Sequence, residues 1–134
     1  MLLLKDKIEK VLDSFYQHLM KDSKLIFDIE MPVDFYKGEI NTFSKELDDN
    51  SGILLTSYSQ SIDWYNQKVE YLLKYEFLQD GEVKDTEISK FILYWYGINE
   101  LILLLEKAGF KDIQHERGYG KNDESSLVTF NAIK

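Results

Sequence analysis

Between Asp6 and Met20 the apolar residues Ile8, Val11, Leu12, Phe15 and Leu19 recur at helical spacing, with Lys, Glu, Asp and Gln filling most other positions. That pattern predicts an amphipathic helix with one buried stripe. Lys21-Asp22-Ser23 breaks it, and Lys24-Leu25-Ile26-Phe27-Asp28-Ile29-Glu30 follows with the length and composition of a strand. The sole proline, Pro32, closes that run. In the middle of the chain the period changes. Val69, Tyr71, Leu73, Tyr75 and Phe77 alternate with Glu70, Lys74 and Glu76, which predicts a strand with one greasy, aromatic face and one largely wet face. Gly52 to Asp63, Lys68 to Leu78 and Lys84 to Tyr96 read as three strands of an antiparallel meander. Asp80-Gly81 marks the second turn, because glycine accepts the positive backbone angle that a tight hairpin requires. Gly97 to Ala108 returns to helical spacing through Ile98, Leu101, Ile102, Leu104 and Leu105. Gly109 is placed as a left-handed cap, and Phe110 as the residue that folds back on Leu105. Lys111 to Tyr119 and Leu127 to Ile133 are the last two strands, joined by the polar loop Gly120 to Ser126.

Composition narrows the picture. The chain has 134 residues, enough for one domain. Hydrophobic residues make up 44 % and charged residues 30 %, which fits a folded core rather than a disordered tail. The absence of cysteine removes disulfides, thiolate nucleophiles and Cys-based zinc sites, and suits a reducing compartment. A formal net charge of −8 with no basic cluster argues against nucleic acid and against anionic membranes, since both need a cationic footprint. Leu2-Leu3-Leu4 is stopped at once by Lys5-Asp6-Lys7, too short for a signal core or a span. A cytoplasmic protein is the expectation.

Helix–strand followed later by helix–strand is half of a doubly wound sheet, a fold that binds nucleotide cofactors on a glycine-rich turn between a strand and a helix. The candidate turn, Gly118-Tyr119-Gly120, follows a strand but leads into a polar loop and another strand, so a plain hairpin connection is the better reading. His18 and His115 lack ligand spacing, and no Ser–His–Asp or Cys–His arrangement is present. Asp28 and Glu30, two apart on one strand, share a face at its C-terminal end, where such sheets bind ligands; a solvated strand end is the plainer alternative. Trp64, Trp95, Tyr96 and Tyr119 could wall an apolar pocket or simply fill a core. Phe35-Tyr36 is the stronger pocket candidate because it directly follows that strand.

The run Trp95-Tyr96-Gly97-Ile98-Asn99-Glu100-Leu101-Ile102-Leu103-Leu104-Leu105-Glu106-Lys107-Ala108-Gly109-Phe110 resembles a segment of class I S-adenosylmethionine (SAM)-dependent methyltransferases: an aromatic, a helix cap, Glu-Leu, a Leu-Leu pair and Ala-Gly-Phe leading into the sixth strand. Leu19 to Ile29 is similar to the family's helix end, turn and fifth strand, and Leu127 to Lys134 to its seventh. Two positions depart from the pattern: Lys21-Asp22-Ser23 replaces the usual Pro-Gly-Gly, and Gly97 replaces a Ser or Thr cap.

The resemblance implies an α/β fold, the C-terminal half of a doubly wound Rossmann-like methyltransferase sheet with an inserted antiparallel three-strand meander. On this reading residues 1–134 are a single partial, truncated domain, and residues 33–96 are a substrate-cap insertion. The cofactor implied by the family is SAM, but the strands and glycine loop that hold it would precede Met1, so this chain alone is not expected to bind it. No residue is assigned to cofactor or metal, and none to catalysis. The substrate-binding candidates are Glu30, Phe35, Tyr36, Trp95 and Tyr119. Partners implied are a small-molecule acceptor, and either a second copy of the chain or a complementing N-terminal half. The rival readings are a non-catalytic interaction module and a small α+β ligand-binding cup. Two consequences follow from the family's sheet order. The 127–133 strand should lie between the 24–30 and 111–119 strands, antiparallel to both. The other edge of the 24–30 strand should then stay open and invite pairing with another chain.

Overall fold

The computed structural model describes residues 5–48, 50–120 and 125–134. In chain order the elements are α1 (Lys5–His18), β1 (Lys24–Glu30), β2 (Ile40–Glu46), β3 (Ser51–Asp63), β4 (Lys68–Gln79), β5 (Glu82–Tyr94), α2 (Ile98–Ala108), β6 (Lys111–Arg117) and β7 (Leu127–Ile133). Short 3-10 turns lie at Pro32–Asp34 and Gly118–Gly120. The described chain divides into two compact units, one of residues 1–34 with 94–134 and one of residues 35–93.

The first unit holds a three-stranded sheet in the order β1-β7-β6. Strand β7 is antiparallel to both neighbours, with Phe27 opposite Phe130 and His115 opposite Phe130 on the other side. This is the arrangement expected from the sequence. Strand β7 alternates strictly: Val128, Phe130 and Ala132 are buried, and Leu127, Thr129, Asn131 and Ile133 only partly so. The buried set meets Ile8 and Leu12 of α1, Leu101 and Leu105 of α2, and Ile29, Tyr96 and Phe110 in one core. Phe27 and Phe130 stack with ring centroids 5.4 Å apart and planes 9° apart, which locks the centre of the β1–β7 pair. On α1 the buried face runs through Ile8 and Leu12 to the half-buried Tyr16 and Leu19. Phe15 is 40 % exposed. The expected stripe erred there by one residue, because Tyr16, not Phe15, sits four residues beyond Leu12.

The end of α2 follows its residue chemistry. Gly109 adopts φ 109° and ψ 0°, the Gly109 amide donates to the Glu106 carbonyl, and the Phe110 amide donates to the Leu105 carbonyl at 3.0 Å. Phe110 then turns into the core beside Leu105 and meets the Tyr16 ring edge-on at 5.2 Å.

The second unit is a four-stranded sheet in the order β2-β3-β4-β5, where the sequence pattern predicts three strands. The added strand, β2, pairs antiparallel with β3, from Ile40 opposite Tyr58 to Glu46 opposite Gly52. Every residue of β2 is exposed. With neither face buried, nothing imposes a period of two, and the pattern is silent. The β4–β5 turn is the predicted one: Asp80 and Gly81 take φ of 51° and 77°, the two left-handed positions of a hairpin turn. A bulge at Ser59/Ser61 interrupts the β3–β4 register.

Candidate functional site

In β1 the alternation turns Leu25, Phe27 and Ile29 toward the helices and leaves Lys24, Ile26, Asp28 and Glu30 exposed on the opposite face of the sheet. On β7, burial of Val128 and Phe130 places Thr129 on that same outer face, directly opposite Asp28. The Thr129 hydroxyl donates to Asp28 Oδ1 at 2.6 Å. The Tyr119 hydroxyl donates to the second carboxylate oxygen, Oδ2, at 3.0 Å. Tyr119 reaches it from the β6–β7 connection, where Gly118 and Tyr119 both carry positive φ (56° and 54°) and turn the chain sharply. Glu116 of β6 stands opposite Thr129 on the other side, so Asp28, Thr129 and Glu116 form one row across the sheet.

The electrostatics match this geometry. The hydrogen bond to the Asp28 carboxylate, and then the negative charge of that group, hold the Tyr119 phenol above its ordinary value. A carboxylate with one donor on each oxygen is fixed in orientation, yet its remaining lone pairs face solvent and can accept from a ligand hydroxyl or amine. Nothing in the row is arranged as a nucleophile with its base.

Of the sequence candidates, Glu30 and Tyr119 both lie in the first unit, and Tyr119 binds Asp28, two residues from Glu30 on the same face. Trp95, also in the first unit, is buried at 8 % exposure. Phe35 and Tyr36 belong to the second unit. There the Phe35 ring meets Tyr71 at 5.7 Å, while Tyr36 is 68 % exposed. The residue that sequence reasoning missed is Thr129. Its signal was available: strand alternation puts it opposite the Val128–Phe130 face, and the sheet order puts it beside Asp28.

His18 Nδ1 donates to the Ser14 carbonyl at 2.7 Å, and His115 lies against Phe130 at 5.7 Å. Among the described residues no group of His, Cys, Asp and Glu could hold a metal ion. Among them also, no helix is long and apolar enough to cross a membrane. The second unit carries an open groove of about 220 Å³ lined by Ile53, Tyr75, Glu76, Phe77, Asp85 and Glu87.

No family model and no curated protein matches the sequence. Solved structures do. A SAM-dependent methyltransferase from Clostridium acetobutylicum is 16 % identical with a TM-score of 0.68, over 96 % of this chain and 51 % of that one. A SAM-bound amino pentose methyltransferase from Micromonospora echinaspora is 10 % identical with a TM-score of 0.73, over 99 % and 53 %. A sugar N-methyltransferase from Streptoalloteichus is 16 % identical with a TM-score of 0.73, over 96 % and 49 %. The fold is that of a SAM-dependent methyltransferase. The chain spans about half the length of these methyltransferases.

Proposed function

We propose that the chain is the substrate-side half of a SAM-dependent methyltransferase, Rossmann-like in its first unit, acting on a small-molecule acceptor. The observation that supports this most is the fold match over nearly the whole chain to enzymes of that activity, two of them described as acting on an amino pentose and a sugar. An amino or hydroxy sugar is the acceptor class this suggests. The second unit is then the acceptor-recognition insertion, and Phe35 and Tyr36 are its first aromatic contacts. In the first unit Glu30, Asp28 and Tyr119 supply acceptors for the hydroxyl or amino groups of such a ligand. Trp95, being buried, shapes the wall rather than touching the ligand.

SAM, when bound, supplies an electrophilic methyl group, and the transfer asks the protein chiefly for alignment and exclusion of water. The residues present do not build its cradle. Gly97 precedes α2 directly after β5 and its loop, but its amide is taken by Glu100 Oε1 at 3.3 Å. Gly118 and Gly120 lie between two strands. No strand–glycine loop–helix of the phosphate- and nucleotide-binding kind remains among the described residues to offer free backbone amides. A ligand touched on one side only buries too little surface to offset the entropy of binding.

Titration calorimetry of the purified chain with SAM tests this, and the expected result is no binding heat. Addition of a separately expressed glycine-loop half is expected to restore binding, and labelled-methyl transfer to an amino sugar with it. Micromolar binding by the chain alone, at one site per chain, would overturn the half-site reading.

A further inference from the structure

The β3–β4 ladder is regular from Ser51 to Ser59 and again from Ser61 to Asp63, with Ser59 opposite Tyr71 and Ser61 opposite Glu70. Gln60 is the extra residue between them and has no counterpart on β4. An inserted residue of this kind bends its strand and re-aims a side chain. The neighbouring Ser59 is buried, and its backbone is gripped from the other side. Its amide donates to the Glu39 carbonyl at 2.9 Å, and its carbonyl accepts from the Gly38 amide at 2.8 Å. These bonds tie the segment that carries Phe35 and Tyr36 to the bulge. The Phe35 ring also meets Tyr71, the residue opposite Ser59.

The Gln60 side-chain oxygen, Oε1, is shut off from solvent and accepts no hydrogen bond among the described residues. Enclosed polar atoms are nearly always bonded, so an orphan calls for a physical account. This chain's own atoms enclose it, so it is not an open edge awaiting another strand. Gln60 as a whole is only half-buried, and rotation about its last side-chain bonds brings the amide to the surface. We propose that Gln60 is a specificity-determining residue of the second unit. When the acceptor binds, the amide turns outward and its oxygen accepts a hydrogen bond from a hydroxyl or amino group of the sugar that Phe35 and Tyr36 contact. The inference rests on the reading of this unit as the acceptor-recognition insertion, and adds the group by which the acceptor is read. A ligand with a donor relieves the unbonded oxygen. A ligand of the same shape without one leaves it unrelieved, and sites built to hydrogen-bond reject such analogues far more sharply than apolar pockets do.

Two measurements on the full chain test this. Gln60→Leu removes the unbonded oxygen at similar size, so its urea midpoint should equal or exceed that of the unchanged chain. A lowered midpoint would mean that Gln60 is already bonded in solution, to protein or to an enclosed water, and would overturn the proposal. Gln60→Met supplies a second apolar replacement should the branched side chain not fit. In the second measurement the Gln60 side-chain amide is followed by NMR during titration with glucosamine, and separately with fully O-methylated glucose, which keeps the ring but has no donor. Glucosamine should shift the signal saturably, and the methylated sugar should bind at least about tenfold more weakly, the loss of one hydrogen bond. Equal responses to the two sugars, or none to glucosamine, overturn the proposal. Neither measurement involves SAM. A chain that passes both yet gains no SAM binding from a glycine-loop half would keep the sugar contact and lose the methyltransferase reading.

Discussion

Gly109 is the residue at which two independent demands coincide. Its φ of 109° suits glycine alone, and a Cβ built there would stand 2.8 Å from the Tyr16 ring. Gly109→Ala is therefore expected to cost about 1–3 kcal/mol, read from urea unfolding; a loss within a few tenths would show that Tyr16 yields freely. Tyr119 makes a different kind of prediction. Asp28 holds its phenol up, through the hydrogen bond first and the carboxylate charge second. A group raised on folding contributes stability that is fully present below its unfolded pKa, about 10, and is lost as pH rises through the folded value. Asp28→Asn should lower the Tyr119 titration and remove that share of the alkaline dependence. Ultraviolet difference titration against Tyr119→Phe isolates one tyrosine among nine. An unchanged titration would mean the Tyr119–Asp28 bond is absent in solution. Both sites were half legible in the sequence. Ala-Gly-Phe announced the cap because helix stops are local, and Asp28 and Glu30 were visible as a same-face pair. Thr129 was not singled out, because its meeting with Asp28 joins strands a hundred residues apart.

At the scale of elements, the sequence was informative in proportion to burial. Strands β1 and β7 were read with their observed ends, β1 from the length and composition of its run, and in the structure each turns one face to the helices. Strand β2 escaped notice because all seven of its residues are exposed and its two large apolar side chains, Ile40 and Phe43, are three apart. The difference can be measured with one residue type. Phe130 is completely buried and stacked on Phe27, so Phe130→Ala should cost about 3–5 kcal/mol. Phe43 is 60 % exposed, and Phe43→Ala should stay within about half a kcal/mol. Thermal or denaturant unfolding compares the two directly. A large loss at Phe43 would show that β2 is covered in solution by something that buries its face, and would make the silence of its pattern unexplained.

At the scale of the whole molecule, the main core is drawn from one unit alone. Ile8, Leu12, Ile29, Tyr96, Leu101, Leu105, Phe110, Val128, Phe130 and Ala132 all fall within residues 1–34 or 94–134. The interruption between them is a complete sheet with its own pairing. Here the sequence pattern showed a change of period in the middle of the chain, and the family resemblance placed an insertion at residues 33–96, although no proline- or glycine-rich linker marks either junction. The physical consequence is that the second unit adds nothing to that core. Replacing residues 35–93 by a short Gly/Ser linker should therefore leave α1, β1, α2, β6 and β7 folded, because every member of the core and every β1–β7 and β6–β7 bond survives. Domains well under a hundred residues can fold alone when the core is dense, though with little margin. The expected result is a dispersed amide NMR spectrum with a cooperative, lowered melting transition. Phe130→Ala introduced into the shortened chain should abolish that transition, since a loss of about 3–5 kcal/mol is comparable to all the stability a domain of that size holds. A collapsed spectrum for the shortened chain with a longer linker as well would show that the core requires the second unit, and would refute the division.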